Sequence, residues 1–441
     1  MSSPVFGFLA FTSGSYEGAI IRDMRLANSL HRRGFKVFVY WVMETNSALV
    51  DPGITQRCFL RGGRYLLGKP SAVMEKLARA TDVFSRNRRL RFLQQHPAVL
   101  ASLLENFVAS MCDAAPDPGA VIRLEKLMAG DGVTHLLPTF VMACPIALAA
   151  KQRGGHPFEY LATFQGEEIF ANYAQKRNRL ADYYAMLRRC TTGSPWPAVA
   201  VSDDYAVRLG EEIGIDPARM RTIYPGIELP AQTAKPAFSV LTEKLPTLNP
   251  KIPMMTYLGR QDSEKGTDLL LYAARMLRSR GVEFQLVICG GSSFGWKYQE
   301  ICRSIADHLR LEIFWKRRVT DEFRAALYAY SRCVVYPSIH REPFGMVAAE
   351  AMSHGTPVIV PDHGGVAEVI GKGDCAGGLT FRVWDSGDLA DQMERMVKDD
   401  GLHARLAENT RRVAAKFDVE VMTDRVLEHV GIKPEIRKQQ M

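Results

Sequence analysis

Twice along this chain, short apolar runs of strand length alternate with segments whose apolar residues recur at helical spacing. The first series opens with VFGFLAF (5–11), a glycine-bearing loop SGSYEGA, the helix-spaced IIRDMRLANSLHRRG that stops at Gly34, and KVFVYWVM (36–43). This order predicts a parallel sheet with helices on its faces, because parallel strands can be joined only by a crossover. THLLP (134–138), FEYLATF (158–164), AVAVSD (198–203) and MRTIYPG (220–226) continue the series as strands, and 52–130 reads as mostly helical. The second series starts at MMTYLGR (254–260). It runs through TDLLLYAARMLRSRG, FQLVICGG, a helix near 296–309, EIFWKR, TDEFRAALYAYS, RCVVYPS and GGLTF (377–381).

A chain of 441 residues exceeds one ordinary core. The expected fold class is therefore α/β, with two Rossmann-like, doubly wound parallel-sheet domains at 1–225 and 254–417. The proline-rich, polar segment 226–253 is expected to link them, and a helix near 418–435 to pack back on the first. Two such domains facing each other would form a deep cleft at their strand ends.

The start of the sequence lacks a basic leader, and its longest apolar stretch, LLPTFVMACPIALAA (136–150), holds two prolines. A spanning helix needs ~20 apolar residues, so no transmembrane segment is expected. The eight cysteines form no CxxC pair and mostly sit in apolar runs, which fits reduced, buried thiols and a cytoplasmic protein. No metal site is expected.

The net charge of +8 is concentrated. Between 57 and 91, ten Arg and Lys residues stand against only Glu75 and Asp82, an excess equal to that of the whole chain. Phe, Tyr and Leu residues are interleaved with them. The segment suggests an anionic membrane surface, with the protein peripheral on the inner face of the cell membrane, or a solvated helical pair over an apolar face. No nucleic-acid recognition motif accompanies the charge.

The most informative stretch is SIHREPFGMVAAEAMSHGTPVIV (338–360). Glu342 sits in a strand-to-helix loop and Glu350 about one turn into the following helix. Loops at the carboxyl ends of strands are where open α/β sheets bind ligands, so both acids can face one crevice. Backbone N–H groups from Phe344 through Val347, past Gly345 and Met346, lie at a helix N-terminus. Taken singly, Glu350 reads as a solvated helix residue and Glu342 as a charge favoured by the helix dipole. In YLGRQDSEKGTDLL, Arg260 follows Gly259 at a strand end and Lys265 precedes a helix, a suitable clamp for a diphosphate. Gly290 and Gly291 end the next strand, where backbone approaches a ligand closely. Together these describe a site for a ligand with phosphates, hydroxyls and a planar base.

These stretches, with VICGG, PDHGGVAEVI and the first loop and helix SGSYEGAIIRDMRLANSLHRRGFKV, resemble retaining glycosyltransferases of family 4, with the GT-B fold and an E-x7-E motif. The resemblance implies a hexosyl transfer from a nucleoside-diphosphate sugar, UDP favoured, to a glycan or lipid-linked acceptor in cell-surface polysaccharide or glycolipid biosynthesis, without a cofactor. It implies that Arg260 and Lys265 hold the diphosphate and Glu342 contacts the sugar hydroxyls. Phe344, Gly345, Met346 and Val347 would supply backbone contacts. Glu350 would accept from the ribose, and Gly18 would approach the donor. The chain departs from the family where it reads ATFQGEEIF: Gln165 stands where the family often has a histidine near the sugar's C6 hydroxyl. Glu167 could meet acceptor hydroxyls, whereas Glu168 reads as a first-turn helix acid. A nucleotide-sugar epimerase, or a non-catalytic glycan- or membrane-binding protein, are the alternatives.

Overall fold

The computed structural model describes residues 3–10, 18–41, 49–58, 112, 116, 118–166, 168–230, 235–292 and 297–434. The chain divides into two compact units, Met1–Gly226 with Val419–Met441, and Ile227–Asp418.

In the first unit, β1 (Val5–Ala10), β2 (Lys36–Trp41), β3 (Thr55–Cys58), β4 (His135–Pro138) and β5 (Glu159–Tyr160) form a parallel sheet in the order β3-β2-β1-β4-β5. A second parallel sheet holds β6 (Thr163–Phe164), β7 (Ala198–Ala200) and β8 (Met220–Thr222) in that order. β1 is apolar throughout because it is covered on both faces: Phe6, Phe8, Leu9 and Ala10 are all buried. The helix Gly18–Arg32 places Ile20, Met24, Ala27 and Leu30 in one core with Val37, Val39 and Trp41. Burying a Val, Leu, Ile or Met side chain contributes ~1.5–3 kcal/mol. The helix Val419–His429 joins the same core through Val419, Met422, Val426 and Leu427. Arg33 fastens it, reaching Glu420 at 2.7 Å and Asp424 at 2.5 Å.

The second unit holds one six-stranded parallel sheet. Its strands are β9 (Met254–Leu258), β10 (Gln285–Cys289), β11 (Ile313–Lys316), β12 (Cys333–Val335), β13 (Val358–Pro361) and β14 (Gly378–Phe381), ordered β11-β10-β9-β12-β13-β14. β9 therefore has β10 on one side and β12 on the other. A change of direction in strand order opens a crevice at the carboxyl ends of the two strands that flank it.

Three expectations change. FEYLATF is two strands in two sheets: Leu161 N–H bonds Leu136 O at 3.0 Å, whereas Ala162 O accepts from Val199 N–H at 2.9 Å. TQRC, within the stretch read as helical, is the edge strand β3. Residues 227–253 belong to the second unit rather than to a linker, with Leu241, Leu245 and Leu248 buried and Tyr330 Oη donating to Pro236 O at 2.7 Å. Of the ten cations between 57 and 91, Arg57 is committed to the fold. Its Nε donates to the buried Asp131 at 2.7 Å, so it is withdrawn from the membrane reading. The other nine lie outside the described residues. Among the described residues no helix is long and apolar enough to cross a membrane. Six described cysteines are buried, and Cys375 is exposed.

Candidate functional site

The candidate site is built at the carboxyl ends of β9, β10 and β12. After β9 the chain turns through Gly259 and Arg260 into a short 3-10 turn, Ser263–Lys265, and then the helix Thr267–Ser279. Gly266 joins the two with φ +63°, and a Cβ there would lie 2.0 Å from Pro337 O. Only glycine lets this turn press against the loop after β12. The contact is completed by Glu264 O, which accepts from Ser338 Oγ and Ile339 N–H, both at 3.1 Å.

That approach brings Lys265 to Glu342. Lys265 Nζ donates to Glu342 Oε1, and Ser338 Oγ donates to the same oxygen at 2.7 Å. Glu342 is 7% exposed. Burial opposes its ionisation, but Lys265 and His340 beside it, with the bonds from Lys265 and Ser338, bring its pKa down to about 2. The glycine turn of PDHGGVAEVI holds its backbone, with Gly365 N–H donating to Glu342 O at 2.8 Å.

Arg260 lies beside this pair but is held by its own loop. Its guanidinium contacts Asp262 and Glu264, each at 2.5 Å. A phosphate arriving there would compete with two carboxylates. Gly290 and Gly291 are tied to the same loop: Gln261 N–H donates to Gly291 O at 2.7 Å, and Gln261 Nε2 to Gly290 O at 2.8 Å. Gly290 has φ +134°, and a Cβ would meet Gly259 O at 1.7 Å, so the β9 and β10 ends touch backbone to backbone.

The helix Met346–Ser353 begins at Gly345. Its first internal bond is Ala348 N–H to Gly345 O at 3.0 Å, so the amides of Met346 and Val347 precede the ladder. The Phe344 ring is core, edge-on to Phe417 at 5.3 Å between centroids, which leaves only its backbone for a ligand. Glu350, on this helix, accepts from Tyr328 Oη at 3.2 Å.

The second unit thus brings together Gly259, Arg260, Lys265, Gly290, Gly291 and Glu342, with Phe344 to Val347 and Glu350 on the adjoining loop and helix. Gly18 and Gln165 lie in the first unit, Gly18 as the first residue of its helix. Glu167 lies outside the described residues, and Glu168 opens the helix Glu168–Lys176. Sequence reasoning missed Asp262, Glu264 and Ser338. All three were legible as neighbours at short spacing: Asp262 and Glu264 two and four residues after Arg260, Ser338 four before Glu342.

Residues 243–413 match the family described as Glycosyl transferases group 1. D-inositol 3-phosphate glycosyltransferase of Rhodococcus erythropolis is 31% identical over 235 residues, 52% of this chain and 52% of the relative. Alpha-D-kanosaminyltransferase of Streptomyces kanamyceticus is 29% identical over 42% of this chain and 46% of its own length. The chain spans about half the length of the curated relatives it matches. Anabaena HepE, crystallised with UDP and glucose, superposes with a TM-score of 0.70 at 17% identity, covering 97% of this chain and 99% of that one. Sucrose-phosphate synthase from Thermosynechococcus elongatus gives 0.71 at 19% identity, covering 98% of each. The chain has the GT-B fold of these structures, and its second unit carries the glycosyl transferases group 1 region.

Proposed function

We propose that the chain is a retaining glycosyltransferase of family 4. In this reading it moves a hexosyl unit from a nucleoside-diphosphate sugar to a glycan or lipid-linked acceptor, in the making of a cell-surface polysaccharide or glycolipid. The observation that carries the reading is the Lys265–Glu342 pair at the strand-order reversal between β9 and β12, inside the region that matches the group 1 family. Lys265 and Arg260 stabilise the diphosphate as charge develops on it, and this calls for no metal. The carboxylate of Glu342, kept ionised, accepts from hydroxyls of the departing sugar. The amides of Met346 and Val347 meet phosphate oxygens, and Glu350 accepts from the ribose. UDP is the favoured nucleotide, in keeping with the UDP bound by HepE. The Rhodococcus relative, a D-inositol 3-phosphate glycosyltransferase, adds a phosphorylated polyol to the acceptors worth testing. The segment 59–91 is assigned to an anionic membrane surface on the cytoplasmic side.

The test is a thermal-shift series with UDP-, GDP- and ADP-sugars, followed by NMR of the anomeric centre of any product. A donor at 100 times its Kd adds ~2.7 kcal/mol of stability. No shift with any nucleotide sugar, or a product of inverted configuration, sinks the reading as stated.

A further inference from the structure

The two acids that hold Arg260 are not equivalent. Arg260 Nη1 pairs with Asp262 Oδ2 and Nη2 with Glu264 Oε1. Asp262 is 5% exposed and also accepts from Ser292 Oγ, beyond the end of β10. It is built into the loop. The Glu264 side chain is 38% exposed, and it is the backbone of this residue that is fastened. Glu264 O accepts from Ile339 N–H at 3.1 Å and from His340 N–H at 3.2 Å. The main chain at 264 is therefore fixed, while the carboxylate can swing by side-chain rotation alone. For an exposed side chain that takes picoseconds to nanoseconds.

Charge and position say what the Glu264 carboxylate resembles. The same Oε1 that meets Arg260 Nη2 at 2.5 Å lies 3.9 Å from Lys265 Nζ. One anionic oxygen thus sits between the two cations assigned to the diphosphate. Lys265 also serves Glu342, so these two cations face three carboxylates and the cluster is net negative. An anion that comes to Arg260 must replace one that is already there. An anion that leaves is replaced by a group that never left the loop. A like charge placed against a ligand lowers its affinity, and the loss grows as the site excludes water.

We propose that Glu264 is an internal competitor for the diphosphate: its carboxylate and a diphosphate oxygen take the position between Arg260 and Lys265 by turns. Asp262 keeps Nη1 throughout, so the guanidinium holds its direction and only Nη2 changes partner. Glu264 lowers the affinity for a nucleoside diphosphate and hastens its departure once the sugar has been transferred. The inference rests on the glycosyltransferase reading and adds how the donor of that reading is exchanged for product.

The test is a calorimetric titration of the full chain, as wild type, Glu264→Gln and Glu264→Ala, with UDP, GDP, ADP, inorganic pyrophosphate and uridine. The nucleoside diphosphate that binds the wild type should bind both variants about tenfold more tightly, because a competing charge has gone. Damage to the loop would weaken binding, so a gain in affinity separates competition from a structural role. Pyrophosphate should gain in the same way, and uridine, which carries no phosphate, should bind all three proteins alike. The gain should shrink as salt is added, since charges at a partly exposed site are screened. Diphosphates that bind the variants no more tightly than the wild type, or a matching gain with uridine, overturn the competition and leave the donor reading standing. If no nucleoside diphosphate binds but the pyrophosphate affinity still rises in both variants, the competition holds and the donor reading falls. Failure of every phosphate ligand to bind any of the three proteins refutes both.

Discussion

Glu342 and Asp23 are both buried carboxylates beside a cation, and their ionisation is driven in opposite directions. Glu342 has its pKa brought down to about 2, against the burial that surrounds it, by Lys265, His340 and Ser338. At Asp23 burial wins and raises the pKa, even with Arg22, Thr139 and Gln165 pulling the other way. Exposure does not separate them, since both are buried. The surrounding charge does: Glu342 answers to two positively charged or chargeable groups, Asp23 to a single guanidinium. One carboxylate is held ready as an anion. The other sits where burial makes ionisation costly.

Removing a partner at the Glu342 site should have the largest effect. Lys265→Ala is expected to lower donor turnover ~10²–10³-fold. Because it strands a buried anion, it should also destabilise the fold by ~3–5 kcal/mol. Combining it with Glu342→Gln should recover most of the melting temperature and none of the turnover. If Lys265→Ala leaves stability intact, the pair is less buried than described.

Acid denaturation sharpens the contrast. A carboxyl whose folded pKa is depressed contributes stability above its unfolded value, and that contribution is lost as pH falls toward the folded one. For Glu342 the window runs from 4.5 down to about 2, and the contribution is on the order of 3 kcal/mol. Glu342→Gln should flatten the stability curve in that window and lower kcat. Denaturant midpoints between pH 2 and 5 check it, and an unchanged slope counts against the ion pair.

Asp23 should show the opposite sign. With its folded pKa raised, the wild type loses stability as pH climbs above the unfolded carboxyl value of about 4. Asp23→Asn carries a fixed cost from Arg22 but none of that slope, so the stability gap between wild type and variant should narrow as pH rises. A gap that widens would mean that Arg22 outweighs burial. The smallest effect is expected at Glu350, whose contact would be with the ribose, bound alike in ground and transition states. Glu350→Gln should raise donor KM roughly fivefold with kcat little changed. A fall in kcat as large as that of Glu342→Gln would erase the division of labour between the two acids.

The parallel sheets and the Glu342 loop were legible because burial on both faces forces long apolar runs, and glycine and proline mark the turns between them. What escaped had physical reasons. FEYLATF is mostly apolar, interrupted only by Glu159 and Thr163 away from the break, so nothing in its pattern shows that its hydrogen bonds pass from Leu136 to Val199 between residues 161 and 162. TQRC is a polar edge strand held by backbone pairing to β2, which leaves no side-chain signature. The 227–253 segment is rich in proline, yet three leucines anchor it, and proline content speaks to backbone stiffness rather than to burial. Arg260 was read as a clamp from its position. Its two acids were in the same quoted stretch, but their pairing is a matter of rotamers. Asp23 lay inside a helical pattern as one polar residue among several. Its surroundings include Thr139 and Gln165, more than a hundred residues away.

The helix Val419–His429 makes the first unit discontinuous, and this has a consequence for synthesis. Its Val419, Met422, Val426 and Leu427, with Val430 just beyond it, complete a core whose remaining buried members precede residue 227. Translation at ~5–20 residues per second puts roughly 10–40 s between the emergence of Gly226 and of Val419. During that interval the nascent first unit keeps an apolar face uncovered while the second unit, continuous from Ile227 to Asp418, can close on its own. The later-made unit can thus be the earlier to finish, while the first keeps an apolar face open until its closing helix arrives.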